Sequence, residues 1–190
     1  MKLIIYIALT ALATCVLSQT LKILFNTIIN KTKFSLRKIT SDGSYPSSHT
    51  GFVTSITTIS WISTIRTILS SEDASISIWC SMAFTALAVV IIRDALGVRY
   101  TVQKLCEVVT GLAEDSKYCE KIKKELNIKS GHRPYEVFGG AILGIIIATF
   151  TSLIYYEVYK YIPLVVAVFT LYIVISSIVL VKKRNKIQPK

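Results

Sequence analysis

The chain contains two histidines, and each opens an apolar segment within a short polar motif: Pro46-Ser47-Ser48-His49 and Gly131-His132-Arg133-Pro134-Tyr135-Glu136. Imidazole titrates near neutrality and serves as nucleophile, general acid or general base. Beside a bilayer such a group is costly unless it is partnered or working, so two of them at segment mouths point to one shared site. His132 and Glu136 stand four residues apart, on one face of a helix starting near Pro134. There a carboxylate can hold the imidazole tautomer and stabilise its charged form. Proline is allowed at a helix start because its missing donor would be unpaired anyway. The structural alternative is a capped helix start with an interfacial ion pair. For Ser47 and Ser48 the alternatives are N-capping and anion binding. In the second case hydroxyls and first-turn amides hold a phosphate at the positive end of the helix dipole. His49 would then donate a proton, with Arg37, Arg99 and Lys22 available to neutralise the phosphate oxygens.

Positioning these groups falls to a membrane-embedded frame. The 190 residues are 52% hydrophobic, with mean hydropathy +0.56, yet carry a formal charge of +11. Apolar spans alternating with basic loops reconcile those values, because Lys and Arg are retained on the cytoplasmic side and attracted to anionic headgroups. Crossing the hydrocarbon core takes about 20 mainly apolar residues. Stretches near 3–29, 48–69, 75–96, 134–156 and 161–181 qualify. Near the N-terminus, Ala11-Leu12-Ala13 resembles a signal-peptide cleavage site and Leu12-Ala13-Thr14-Cys15 faintly resembles a lipoprotein box. The apolar run continues well past both, so it is read as a retained span.

Loop charge orients the spans. Lys31, Lys33, Arg37 and Lys38 follow the first, a long basic segment from Arg99 to Arg133 follows the third, and Lys182 to Lys190 follow the fifth. The connection after the second holds Glu72 and Asp73. An outside N-terminus and a cytoplasmic C-terminus put every basic loop inside, the expected setting being a prokaryotic plasma membrane. Lys22, His49, Asp94, His132 and Glu136 then share the cytoplasmic face. Thr101–Leu126 reads as a largely amphipathic cytoplasmic helix with Val102, Leu105, Val109, Leu112 and Ile122 on its apolar side, an interfacial helix packed beneath the bundle, the alternative being a partner-binding arm. The expectation is an all-α polytopic transmembrane helical bundle of about five spans, a single integral membrane domain over 1–190. The four cysteines lack metal-ligand spacing and read as reduced thiols. No metal or cofactor is expected. The basic loops lack the aromatic interleaving of a nucleic-acid binder.

The motifs resemble a known superfamily. His132-x-Pro134-x-Glu136 followed by Val137, Phe138, Gly139 and Gly140 is similar to the third signature of the phosphatidic acid phosphatase type 2 superfamily, which includes vanadium-dependent haloperoxidases. Pro46-Ser47-Ser48-His49 resembles the second signature. The nearer likeness is to its divergent, small membrane branch, often labelled acid phosphatase/vanadium-dependent haloperoxidase-related. Gln19-Thr20-Leu21-Lys22, Gly43 to His49, Asp94-Ala95-Leu96-Gly97-Val98-Arg99 and Gly131 to Glu136 are similar to it in order and spacing, within residues 18–146.

The resemblance implies a helical bundle and metal-independent phosphate-ester hydrolysis. His132 would attack phosphorus to give a phosphohistidine, and His49 would protonate the leaving oxygen. Glu136 stands where the family usually has Asp. Asn30 occupies the first-signature Lys position, Arg37 is not followed by Pro, Leu126 occupies the third-signature Arg position, and Ser48 replaces Gly. Arg99 and Lys22 are the candidate replacement cations, with Asp94 and Gln19 in supporting places. The expected activity is hydrolysis of a lipid or polyprenyl phosphate at a bilayer with anionic headgroups. The alternative is a non-catalytic membrane protein that binds or moves an anionic lipid in the same pocket. Vanadate-dependent halide oxidation is a weaker fit, being expected of soluble or secreted relatives.

Overall fold

The structure, a computed structural model, describes residues 2–30, 45–112 and 133–187. Its helices are α1 (Lys2–Asn30), α2 (Ser48–Leu69), α3 (Ser75–Leu96), α4 (Val98–Leu112), α5 (Pro134–Tyr155) and α6 (Ile162–Ile187), with a 3-10 turn at Tyr159–Tyr161. Five segments, all but α4, are long and apolar enough to cross a membrane. The expected spans match α2 and α3 in both limits, and the last helix runs past 181 to Ile187. The amphipathic helix begins at Val98, three residues early, because Gly97 turns the chain while its N–H still reaches the Arg93 carbonyl at 2.8 Å. Of that expected helix, 113–126 lie outside the described residues. Val102, Leu105, Val109 and Leu112 are all exposed, so this side does not pack beneath the bundle as expected; an apolar side turned away from the other helices suits a membrane surface instead.

The interior is built from small polar residues and the exterior from large apolar ones. Thr10, Thr14 and Ser18 on α1, Ser55, Ser60 and Thr64 on α2, and Ser81 on α3 are buried, whereas Leu9, Leu12, Trp79, Val90 and Leu171 are exposed. Lipid is as apolar as leucine, so large side chains gain little by turning inward. Small residues let backbones approach, and their hydroxyls find partners there. Thr14 donates back to the Thr10 carbonyl at 2.9 Å, and Thr10 donates across to Thr151 on α5 at 3.2 Å. A more conventional apolar cluster of Leu21, Phe25, Leu143, Ile146 and Tyr172 joins α1, α5 and α6.

Cross-helix contacts set the direction of each helix. Tyr6 stacks on Tyr155 at 4.2 Å between ring centroids, so α1 and α5 run antiparallel. Thr64 on α2 meets Ser77 and Ser81 on α3, while Tyr172 on α6 donates to the Gly139 carbonyl of α5 at 3.0 Å. The ends of α1, α3 and α6 and the starts of α2 and α5 therefore share one end of the bundle. Lys22, His49, Asp94 and Glu136 all lie toward it, and it is called the basic end below.

Candidate active site at the joined mouths of α2 and α5

Ser47 is the N-cap of α2. Its Oγ accepts from the Thr50 N–H at 3.4 Å and from the Thr50 hydroxyl at 3.0 Å. The capping alternative is thus realised, and a hydroxyl that accepts twice still has its own proton to donate. The Ser47 backbone N–H donates at 2.9 Å to the carbonyl of Glu136 in the first turn of α5. One main-chain hydrogen bond thereby fastens the two mouths together. It forms because α5 carries no side chain where α2 enters: a Cβ on Gly140 would overlap the Ser47 carbonyl oxygen, and one on Gly139 would overlap the Tyr45 ring.

Tyr45 occupies that space and locks the entry. Its ring packs against Phe25 of α1 at 5.8 Å and stacks with Tyr135 at 6.1 Å, and its hydroxyl pairs with Ser176 of α6. Three helices are thereby tied to the peptide that precedes His49. The Tyr45–Pro46 bond is cis.

Glu136 is buried, and each carboxylate oxygen has a partner. Oε2 accepts from the Arg133 N–H at 3.0 Å and Oε1 from the Tyr135 hydroxyl at 2.8 Å. The first bond caps α5, which is half of the structural alternative raised for this motif. His132 and Arg37 lie outside the described residues, as does the side chain of Arg99.

Lys22 is only 3% exposed. Continuing the α1–α5 register set by Tyr6 with Tyr155 and Thr10 with Thr151 brings it level with Gly139, about one turn from Glu136. Gln19 lies one turn before Lys22 on α1. Its Oε1 and the Oγ of Ser48 are buried and have no hydrogen-bond partner among the described residues. His49 is exposed and lines a cavity of about 470 Å³ between α2 and α3, together with Ser47 and Asp94. The structure therefore gathers Ser47, Ser48, His49 and Glu136 at one joint, and His49 and Asp94 line one cavity. Sequence reasoning missed Tyr45, Tyr135 and Tyr172, which make the frame. A tyrosine before the helix-opening proline and another between Pro134 and Glu136 were visible, but their partners are distant in sequence.

The polar mouth framed by Pro46 to His49 and by Arg133 to Gly140 falls within a match to the model of the Divergent PAP2 family, which covers residues 5–147. The chain belongs to the Divergent PAP2 family. It is also 31% identical over 152 residues to Uncharacterized membrane protein YuiD of Bacillus subtilis (strain 168), covering 73% of this chain and 89% of that one. No solved structure matches it. With five helices able to span a bilayer and a membrane protein as relative, this Divergent PAP2 member is an integral membrane protein. The family match takes in α1 to α4 and the first half of α5, the half that carries the joint with α2, and stops before α6.

Proposed function

We propose that the protein is a membrane-embedded phosphatase that hydrolyses a lipid or polyprenyl phosphate through a phosphohistidine. The observation that carries this reading is the Ser47 N–H to Glu136 carbonyl bond at 2.9 Å. It ties together the two segments that contain the histidines, with His49 two residues after Ser47 and His132 next to Arg133 in the chain.

In the proposed reaction an imidazole nitrogen of His132 attacks phosphorus. The bond from phosphorus to the leaving oxygen breaks as His49 transfers its proton to that oxygen, releasing the alcohol. Water then attacks the phosphohistidine while His49, now neutral, takes its proton, so that phosphate leaves and both rings return to their starting states. Glu136 stabilises positive charge developing on His132, and Asp94 orients the His49 ring across the cavity mouth. Charge on the phosphate is met by the α2 N-terminus, the hydroxyls of Ser47 and Ser48, and the cations Lys22, Arg37 and Arg99. The Ser48 Oγ, without a partner among the described residues, supports this role, since a buried hydroxyl gains most from a ligand that satisfies it.

The non-catalytic reading keeps the same pocket and holds an anionic lipid without turnover. Both carboxylate oxygens of Glu136 already serve Arg133 and Tyr135, which gives that residue a structural task independent of catalysis. Phosphate release from a panel of lipid phosphates, measured on the full chain in detergent with and without chelator, separates the two. Turnover and an acid-labile phosphoryl label on His132, both lost in His132→Ala, are the expected results. In His49→Ala, substrates with poor leaving groups should suffer more than those with good ones. Binding without turnover or label across the panel would replace the enzyme with the binding protein.

A further inference from the structure

The contact between α2 and α3 changes character along its length. Away from the basic end it is fastened by hydroxyls: Ser60 with Ser81 at 2.7 Å, Thr64 with Ser81 at 2.8 Å, and Trp61 Nε1 donating to Thr85 at 2.9 Å. The last fastener is Thr57, whose Oγ1 donates to the Phe84 carbonyl at 3.2 Å. From there to the basic end a cavity of about 470 Å³ opens between the two helices. Phe52 and Ile56 line one wall and Leu87 and Ile91 the other; Phe84, the α3 lining residue farthest from the basic end, adjoins the Thr57 contact, and His49 and Asp94 line the cavity toward the basic end.

We propose that this groove is the binding site for one hydrocarbon chain of the phosphate-bearing substrate, and that Phe84 is the residue that limits how long a chain it accepts. The inference deepens the phosphatase reading and rests on it for the position of the headgroup. Its size lies within the range of about 300–1,000 Å³ typical of small-ligand sites. Asp94 and Phe84 are ten residues apart on α3, about 15 Å along a helix. That is about half of the ~30 Å hydrocarbon core, the depth of one leaflet. A transmembrane helix of a partner would need the full thickness, and the hydroxyl fasteners close the groove halfway. A lipid tail whose headgroup sits at the interface needs one leaflet only. Leu87 and Val90 on the α3 wall are more than half exposed, so a chain enters sideways from the bilayer.

The test uses the full chain in nanodiscs and n-alkyl phosphates of graded length, each with a photoreactive diazirine at the chain end. Affinity should climb with length until the chain reaches Phe84 and then level off, with the label of that chain mapping to the Thr57 and Phe84 region. Ile56→Trp should weaken the longest chains by about tenfold and leave the shortest unchanged. Leu87→Trp, at an exposed position on the opposite wall, tests the same groove should the first variant fail to fold. Phe84→Ala should move the plateau to longer chains. Labels on the outer faces of α1 and α6, or a length profile untouched by all three substitutions, would overturn the proposal. Phosphate release blind to chain length and to these variants would sink the groove and leave the phosphatase standing. Length-dependent binding without release or phosphohistidine would keep the groove and sink the phosphatase.

Discussion

α2 meets its two main neighbours in opposite ways. Against α5 it is pressed backbone to backbone, with glycines where side chains would stand and Thr54 set into the space beside Gly144. Against α3 it is held by hydroxyl pairs over one half and parts over the other. A seam without side chains has one arrangement and holds main-chain geometry rigidly, which a two-motif site needs. Hydroxyl pairs grip at a few points and leave unfilled space, which a site for a variable apolar chain needs. The rigid seam carries the proposed chemistry and the parted one the proposed specificity.

The sharpest way to break that contrast is to add one methyl group on the rigid side. Gly140→Ala places a carbon against the Ser47 backbone, which cannot rotate away. Overpacking of this kind costs about 1–3 kcal/mol, and the mouths should separate with loss of substrate binding. Denaturant titration of the purified protein beside a binding assay reads both effects. If Gly140→Ala is as stable as the parent, the seam is not the rigid element.

Glu136→Gln acts on the same seam by charge. The neutral amide presents one oxygen where the carboxylate presents two, so both bonds lose their charge assistance and one of the Arg133 N–H and the Tyr135 hydroxyl loses its acceptor. A loss of about 1–2 kcal/mol is expected, since hydrogen bonds to charged groups contribute about 1.5–3 kcal/mol. Under the phosphatase reading kcat should fall further than stability explains, and a proportionate fall would assign Glu136 to capping alone.

On the parted side, Ser81→Ala removes the partner of both Ser60 and Thr64. Interhelical hydrogen bonds in membranes average about 0.6 kcal/mol, so a loss near 1 kcal/mol is expected. Combining Ser81→Ala with Gly140→Ala should give additive losses, and strong coupling would show that the two faces of α2 are not independent.

The smallest effect lies at the far end. The Ser75 hydroxyl and N–H both donate to Asp73, at 2.6 and 2.9 Å, and hold its carboxyl below the ordinary carboxylate range. A depressed pKa contributes stability that is present above the unfolded value and is lost as pH falls through the folded one. Asp73→Ala should therefore lower the melting temperature slightly at neutral pH and not at all in strong acid. A difference that persists in acid would remove the carboxylate from the explanation.

The helix spans, the amphipathic segment and the family were legible in the sequence because each depends on local composition or on ordered short motifs. The run of apolar residues between charged ends sets a span's length whatever its neighbours are. Histidine beside Pro46-Ser47-Ser48, and Glu136 two residues after Pro134, marked the mouths by residue type alone. Gly140 and Gly144, four apart, were a visible sign of close helix packing, but not of which helix would fill the space.

What the sequence determined by itself was therefore one-dimensional: which segments span, where polar groups enter them, and which family the chain joins. That Tyr45 wedges over Gly139, that Ser47 bonds to the Glu136 carbonyl, and that α3 parts from α2 beyond Thr57 were decided only by the tertiary structure. Each of these contacts joins residues 27 to 94 positions apart in the chain. They form where backbone shape and unpaired polar groups fit, and neither periodicity nor charge pattern specifies such pairings.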